Sequence, residues 1–177
     1  MLTPWADTLD RAQPLPEYPR PQMVRDSYLN LNGPWSYAIT TSANKPAQAD
    51  GTILVPFSPE SELSGVGHVL QPEEYLWYIR TVTLPDGFNV GRVLLHFGAV
   101  DQTATVWCNG VELAMHSGGY LPFTVDITEV LAKENTILVC VRDATNKSQL
   151  PRGKQTLHPH GIWYTPQSGI WQTVWLE

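Results

Sequence analysis

Cysteine is scarce in this chain, because only Cys108 and Cys140 occur among its 177 residues. Both fall in segments that predict strands, and two interpretations follow: a disulfide between neighbouring strands, or two buried thiols that stay reduced. The N-terminus lacks a basic segment followed by an apolar one, so it shows no secretory signal. We therefore favour free thiols and a cytoplasmic protein.

Positive charge and long apolar runs are also in short supply. The chain carries 11 Lys and Arg against 17 Asp and Glu, with a formal net charge of −6 and a pI of about 5.3. The basic residues are scattered, which argues against nucleic acid as a partner. No apolar run is long enough to span a bilayer, so we expect no membrane segment.

Aromatic and turn-forming residues, by contrast, are abundant: seven Trp, seven Tyr, 15 Pro and 13 Gly favour strands and turns. Apolar residues alternate with others in Val93–Phe97 and again in Ala104–Cys108. Asn109-Gly110 then matches the strongest short hairpin signal. Val111–Met115 resumes the alternation, with its odd-numbered residues predicted to share one apolar face. A period of two with one apolar face is typical of an antiparallel sheet packed on a core.

The whole pattern predicts an all-β chain, an antiparallel β-sandwich of jelly-roll type. Residues 1–27 are proline-rich and predict an extended arm over the surface, and residues 28–177 predict the sandwich domain. Asp126 and Glu129 are spaced as a capping box that opens one helical turn. Further strands are predicted at 35–40, 53–55, 75–84, 136–142, 162–164 and 170–176.

Seven sequence motifs follow one another along the chain from residue 31 to residue 177. They are LNGPW at Leu31–Trp35, VPFSPES at Val55–Ser61, WYIRTVTLP at Trp77–Pro85, HFGAVDQTATVWCNG at His96–Gly110, HSGGYLPFTVDIT at His116–Thr128, RGKQ at Arg152–Gln155 and SGIWQTVWLE at Ser168–Glu177. On these motifs the chain resembles the N-terminal sugar-binding domain of glycoside hydrolase family 2, which includes β-galactosidases, β-glucuronidases and β-mannosidases. The resemblance implies a jelly roll of the galactose-binding-domain-like kind.

This resemblance implies a supporting role in carbohydrate metabolism. In the family the domain packs against a (β/α)8 barrel, which carries both carboxylates of a retaining hydrolysis. We therefore expect no catalytic residue, no cofactor and no metal in this chain. We expect a barrel beyond Glu177, a parent enzyme of β-galactosidase-like type, and, as partners, a β-glycoside, that catalytic domain and in some cases further copies. A free-standing carbohydrate-binding module and a protein-interaction sandwich are the alternatives.

The resemblance also indicates residues for the rim of the substrate site. Glu74 precedes the Tyr75 strand, in a loop that approaches the sugar site in the family. Adjacent strand residues point to opposite faces, so Glu73 and Glu74 cannot flank one glycosidic bond. Trp163 stands where relatives carry a sugar-contacting Asp, and Tyr164 follows it. A Trp there either stacks on a sugar or is buried against the barrel.

Arg152, Lys154 and Gln155 form a polar loop that either donates hydrogen bonds to sugar hydroxyls or is a solvated turn. Asp101 either faces a ligand or accepts backbone hydrogen bonds in a turn, the more common role for such an Asp. His158-Pro159-His160 makes a poor zinc site without further ligands at suitable spacing. Three tryptophans are either a sugar platform on one sheet face or are covered by other parts of the protein: Trp107, Trp171 and Trp175.

Overall fold

The computed structural model describes residues 2–177 and confirms the all-β sandwich, with no α-helix among those residues. Accordingly, none of the helices in this range has the length and apolar character needed to cross a membrane. The strands are β1 (Leu29–Asn30), β2 (Gly33–Thr40), β3 (Gly51–Val55), β4 (Tyr75–Thr83), β5 (Leu94–Phe97), β6 (Val100–Asp101), β7 (Thr103–Cys108), β8 (Val111–Ser117), β9 (Phe123–Asp126), β10 (Glu134–Arg142), β11 (Gly169–Ile170) and β12 (Val174–Leu176). Short 3-10 helices lie at Pro4–Thr8, Pro21–Met23, Glu62–Ser64, Thr128–Val130 and Thr145–Lys147.

The strands form two main antiparallel sheets. One has the order β3-β2-β4-β10-β7-β8 and the other β1-β12-β5-β9, while β6 and β11 form a separate two-stranded ladder. The predicted inward faces are confirmed, because the odd-numbered residues of Val93–Phe97 and the even-numbered residues of Ala104–Cys108 are at most 1% exposed. Each fully buried aliphatic side chain of this kind contributes about 1.5–3 kcal/mol to folding.

The prediction for Val111–Met115 is wrong at its second half, because β8 contains a bulge. Val106 pairs with Ala114, whereas Trp107 pairs with Glu112, so Leu113 has no partner on β7. The extra residue reverses the alternation of inward and outward side chains. Met115 therefore points away from the core and is 69% exposed.

Three other sequence-based predictions need correction. Residues 162–164 form no strand; Trp163 and Tyr164 make only isolated bridges, and Tyr164 is exposed. The predicted strand 170–176 is divided between β11 and β12, which belong to different sheets. Asp126 accepts from the backbone N–H of Thr128 at 3.0 Å, but the turn that follows is a three-residue 3-10 helix capped at Ile127, and Glu129 makes no return bond.

Cys108 and Cys140 are free, and they face opposite sides of the six-stranded sheet, Cys108 in the core and Cys140 beside an outer cluster.

The interpretation of the tryptophans as one platform on a single sheet face is wrong. Trp107 lies on β7 in the six-stranded sheet, and Trp175 lies on β12 in the four-stranded one. Trp107 stacks on Trp77 with ring centroids 5.9 Å apart.

The proline-rich arm is attached to the sandwich and is not simply extended. The 3-10 helices Pro4–Thr8 and Pro21–Met23 interrupt it. Pro14 is buried, and the side-chain amide of Asn32 donates to the Pro14 carbonyl at 3.1 Å. The arm therefore forms part of the folded domain.

The arm is anchored at Glu177. The carboxylate of Glu177 accepts hydrogen bonds from the guanidinium of Arg20 and the hydroxyl of Tyr18. The guanidinium also lies 5.3 Å from the ring centroid of Trp175, which stacks on His96. Burial alone would raise the pKa of Glu177, but the hydrogen bonds from Arg20 and Tyr18 outweigh it and hold this pKa at about 2.

We expect Glu177→Gln to loosen the arm and to lower the free energy of unfolding by about 2 kcal/mol, the contribution typical of a hydrogen-bonded charged group. In the wild type this contribution is present above the ordinary pKa of 4.5 and is lost as the pH falls towards 2. Urea denaturation gives the energy, and limited trypsin digestion with mass spectrometry gives the rate of cleavage in the arm.

Glu73→Gln is the matched control, because Glu73 is exposed. Equal arm cleavage in Glu177→Gln and Glu73→Gln would show that Glu177 does not anchor the arm.

Candidate functional site

Three connections between strands pack against one another: residues 57–74, 118–122 and 143–168, which we call the loop cluster. Cavities of about 340, 300 and 220 Å³ open among them. Gln167 lines all three cavities. Ligand sites favour concave surfaces with a few convergent polar groups, so the loop cluster is the candidate site.

The cavity of about 300 Å³ brings together four of the six side chains predicted from the sequence. We call it the Asp101 cavity. It is lined by Asp101, Tyr120, Arg152, Gly153, Lys154, Gln155, Tyr164, Thr165, Gln167 and Trp171.

The other two predicted side chains lie elsewhere. Glu74 belongs to the 57–74 connection, where its carboxylate accepts from the backbone N–H of Gln71 at 2.8 Å and contacts Nε2 of His68 at 2.7 Å. Trp163 is half-buried, and its backbone N–H donates to the carbonyl of His160 at 2.9 Å. Neither side chain lines the Asp101 cavity.

Asp101 does not have the role that its place in a turn suggested. It ends β6, is 2% exposed, and its Oδ2 accepts from the side-chain amide of Gln155 at 2.8 Å, not from a backbone N–H. Within residues 2–177 its Oδ1 is buried without a hydrogen-bond partner. Gly119 packs so closely that a Cβ atom there would lie 2.2 Å from this oxygen.

The surroundings of Asp101 make its carboxyl a weaker acid than an ordinary Asp side chain. Burial raises its pKa from 3.8 to about 7, the hydrogen bond from Gln155 opposes this shift, and the nearby carboxyls of Asp143 and Glu60 add to it. Desolvation and like charges both disfavour the ionised form of a carboxyl. Near neutral pH, Asp101 is therefore divided between its charged and neutral forms.

Ser168 links the other two buried carboxyl groups. Its backbone N–H donates to Glu60 at 3.0 Å, and its hydroxyl donates to Asp143 at 2.8 Å. Burial raises the pKa of both Glu60 and Asp143, and these hydrogen bonds oppose the shift. Because their oxygens are occupied by the fold, Glu60 and Asp143 hold the loop cluster together.

For Gln155 the sequence left two roles open, a donor to sugar hydroxyls or part of a solvated turn, but in the structure its side chain joins neighbouring connections. Its amide nitrogen donates to Asp101 and lies 3.5 Å from the hydroxyl of Tyr120. Its amide oxygen accepts from the backbone N–H of Gln167 at 2.6 Å. Gln155 therefore positions the cavity walls and has little capacity left for a ligand.

Aromatic side chains form part of the wall of the Asp101 cavity. Tyr120 and Trp171 meet edge to face, with ring centroids 6.2 Å apart, and the indole N–H of Trp171 donates to the carbonyl of Gly119 at 2.8 Å. Sequence reasoning missed Tyr120, although the HSGGYLPF motif contains it. Alternation cannot show that residues 120, 155 and 171 meet, since their contacts are long-range.

The histidine pair does not line the Asp101 cavity. His158 and His160 are exposed, and Nδ1 of His160 contacts the carbonyl of His158 at 2.7 Å. In the part of the chain that the structure describes, no group of three or more His, Cys, Asp or Glu side chains is arranged to hold a metal ion.

Comparisons with known proteins place this geometry in a wider context. The family described as "Glycosyl hydrolases family 2, sugar binding domain" matches residues 65–176. A β-glucuronidase of Felis catus is 32% identical over 164 residues, covering 83% of this chain and 24% of the relative. A β-galactosidase of Thermoanaerobacter pseudethanolicus is 31% identical over 164 residues, covering 88% and 21%. The chain thus spans about a quarter or less of the length of these relatives.

Solved structures show the same fold. A β-glucuronidase of Ruminococcus gnavus superposes with a TM-score of 0.67 at 24% identity, covering 90% of this chain and 29% of that one. A β-glucuronidase of Lactobacillus rhamnosus gives a TM-score of 0.65 at 21% identity, covering 87% and 29%.

The buried carboxyl of Asp101 predicts a pH-dependent stability. A raised pKa means that the folded chain holds a proton that the unfolded chain releases, so its contribution is complete below the ordinary value of 3.8 and is lost as the pH rises through about 7. Between about pH 5 and pH 8 this loss is on the order of 2–3 kcal/mol. Asp101→Asn should remove most of it, as measured by urea denaturation at both pH values.

Asp86→Asn is the control, because it removes one negative charge from the exposed turn after β4. If Asp101→Asn loses as much stability as the wild type over this pH range, Asp101 is not the titrating group.

Proposed function

The chain belongs to the sugar binding domain family of the glycosyl hydrolases family 2, and we propose that it is the N-terminal, non-catalytic domain of a longer β-glycosidase. In this proposal residues 1–27 are an arm, residues 28–177 are the sandwich domain, and a (β/α)8 barrel follows. The small share of each relative that the chain covers supports a longer protein. The free thiols Cys108 and Cys140 support a cytoplasmic location.

One observation carries the supporting role: large apolar side chains are exposed at and beside the Asp101 cavity. Tyr120 and Tyr164 line it and are 46% and 62% exposed. Leu121, next to Tyr120, and Ile162, two residues before Tyr164, are 70% and 63% exposed. Clusters of exposed apolar residues commonly mark interaction surfaces. We assign this surface to contact with the catalytic domain, which would bury these side chains.

The substrate rim is the second part of the proposal. Arg152 and Lys154 offer hydrogen-bond donors, and Tyr164 offers a ring face to the apolar C–H surface of a β-glycoside. We keep Glu74 and Trp163 as outer rim residues, on the resemblance alone. The acid and nucleophile would both be barrel residues, as a retaining glycosidase requires.

For the parent enzyme we propose one of two substrate types, a β-glucuronide or a β-galactoside. The relatives are named β-glucuronidases and β-galactosidases, and a substrate of either type agrees with the donors in the cavity. A free-standing carbohydrate-binding module is the second candidate function. The Asp101 cavity favours this second function, because residues of this chain alone supply both its aromatic walls and its polar groups.

Reading the source gene beyond the codon for Glu177 separates the two functions. If the reading frame continues into a barrel with two catalytic glutamates, the role as a supporting domain is upheld. A stop codon at that point refutes it and leaves the free-standing module.

In the full-length enzyme, we expect Tyr164→Ala to raise KM by about three- to tenfold with kcat nearly unchanged, since a rim contact binds the ground state and the transition state alike. Steady-state kinetics with nitrophenyl galactoside and glucuronide measure this effect. Val90→Ala, at an 85% exposed position in the turn after β4, is the control. An unchanged KM in Tyr164→Ala would contradict the rim role of this residue.

A further inference from the structure

We propose that the arm is held to the sandwich by a proton-sensitive contact: when His96 takes up a proton, residues 16–24 of the arm open away from the sheet beneath them. The signal is a mildly acidic pH, and the response uncovers the part of the four-stranded sheet that these residues cover. This switch concerns the arm and not the loop cluster, so it goes beyond the proposed function and does not depend on it.

The contact is centred on one carboxylate, that of Glu177 directly after β12. This carboxylate accepts hydrogen bonds from the guanidinium of Arg20 and the hydroxyl of Tyr18, which are both arm residues. The indole N–H of Trp175 also donates to it, at 3.4 Å. Nε2 of His96 on β5 lies 3.3 Å from Oε1 of Glu177, the same oxygen that accepts from Arg20. His96 and the arm therefore meet at a single oxygen atom.

The contact has more N–H groups than acceptors. Within residues 2–177, Nε of Arg20 and Nε2 of His96 are both buried without a hydrogen-bond partner. The other ring nitrogen of His96, Nδ1, lies 2.8 Å from the hydroxyl of Thr124. A neutral imidazole can accept a hydrogen bond at one nitrogen, whereas an imidazolium donates at both. A proton on His96 therefore adds a donor and a positive charge where acceptors are already few, and burying such groups unpaired is costly.

The closed arm keeps this charge away from water. His96 is 5% exposed, and its ring stacks on Trp175 with centroids 4.8 Å apart. The guanidinium of Arg20 lies 5.3 Å from the centroid of the Trp175 ring. An imidazolium formed at His96 would therefore share one carboxylate with a second fixed cation. Opening of the arm relieves both costs, because it removes Arg20 and admits water to the imidazolium.

The charges around His96 give the direction of the response. Burial lowers its pKa from the ordinary value of 6.5, the attraction of Glu177 opposes this shift, and the repulsion of Arg20 adds to it. A lowered pKa means that the closed state binds this proton less readily than the open one. The closed contact is therefore fully stable above the ordinary pKa of 6.5 and is weakened as the pH falls through the lowered pKa of His96.

The other ionisable groups around the imidazole keep their charge in mildly acidic solution. Glu177 stays ionised, because its pKa is about 2. Tyr18 stays neutral, because burial and its hydrogen bond to Glu177 raise its pKa. On the neighbouring strand β9, hydrogen bonds from Thr128 and Arg92 hold the pKa of Asp126 at about 2. Among the described residues of this contact, the histidine is therefore the group that changes charge.

The opening is expected to be local, because the arm has further attachments that do not titrate. The side-chain amide of Asn30 donates to the carbonyl of Leu15 at 2.9 Å, and that of Asn32 donates to the carbonyl of Pro14 at 3.1 Å. Neither amide changes charge with pH. These bonds hold the arm up to Leu15, so residues 16–24 form the segment that is released.

Limited proteolysis with thermolysin measures the opening, because this protease cleaves before apolar residues such as Met23 and Val24. The rate of cleavage in the 177-residue chain is divided by the rate for a free peptide of residues 1–27, which removes the pH dependence of the protease itself. We expect this ratio to rise several-fold from about pH 7.5 to about pH 5, the range in which histidine changes charge. In His96→Gln, which cannot take up the proton, the ratio should stay constant.

His116→Gln is the matched control, because His116 is half-buried on β8 in the six-stranded sheet. This variant should keep the wild-type pH dependence. If His96→Gln fails to fold, Arg20→Met supplies the answer. It removes the guanidinium that anchors the arm, so the arm should be open at both pH values and the ratio should be high and constant.

A wild-type ratio that is the same at both pH values would overturn the proposal. A ratio that falls on acidification would do so as well, since the imidazolium would then tighten the contact through Glu177. A wild-type rise that persists in His96→Gln or in Arg20→Met would show that another group controls the arm.

Discussion

The burial of three carboxyl groups is the constraint on which the loop cluster depends. Glu60, Asp101 and Asp143 come from distant parts of the chain, and each must find donors where water is excluded. The donors come from Gln155, in the middle of the 143–168 connection, and from Ser168 at its end. That connection is therefore fixed at its middle and at its C-terminal end, although it contains little regular structure.

The core and the loop cluster are joined at Gly169. The hydroxyl of the fully buried Tyr78 accepts from the backbone N–H of Ile170 at 3.1 Å, and a Cβ at Gly169 would lie 2.0 Å from that hydroxyl. Gly169 also has a φ of +76°, a conformation that other residues rarely adopt. The β11–β6 pairing thus places Asp101 opposite Gly169, and the packing of Tyr78 sets the position of both.

Local patterns predicted the fold better than they predicted the site. Alternation identified the inward faces of Val93–Phe97 and Ala104–Cys108, because the two faces of a strand alternate residue by residue. It failed at Leu113, where one unpaired residue reversed the alternation, and at 162–164, where a short apolar run forms no ladder. A bulge and a missing partner strand are both properties of the neighbouring chain, which alternation in one segment does not report.

At the site, the resemblance named Arg152, Lys154 and Tyr164 as rim candidates, and the three side chains line one cavity. The resemblance gave no indication that hydrogen bonds within the fold occupy the side-chain amide of Gln155, or that Asp101 is buried beside Gln155. Both facts depend on contacts between residues 54 positions apart. A polar residue in a loop sequence looks the same whether its donors face a ligand or another loop, so its role becomes visible only in three dimensions.

The bulge at Leu113 also bears on how separate copies of the domain meet. β8 is an edge strand of the six-stranded sheet, and its unpaired backbone groups are a template on which a strand of another molecule can add. A bulge distorts the spacing of those groups and increases the local twist, so a straight incoming strand cannot match them along the full edge. The irregularity that defeated the alternation pattern thereby protects the domain from edge-to-edge aggregation.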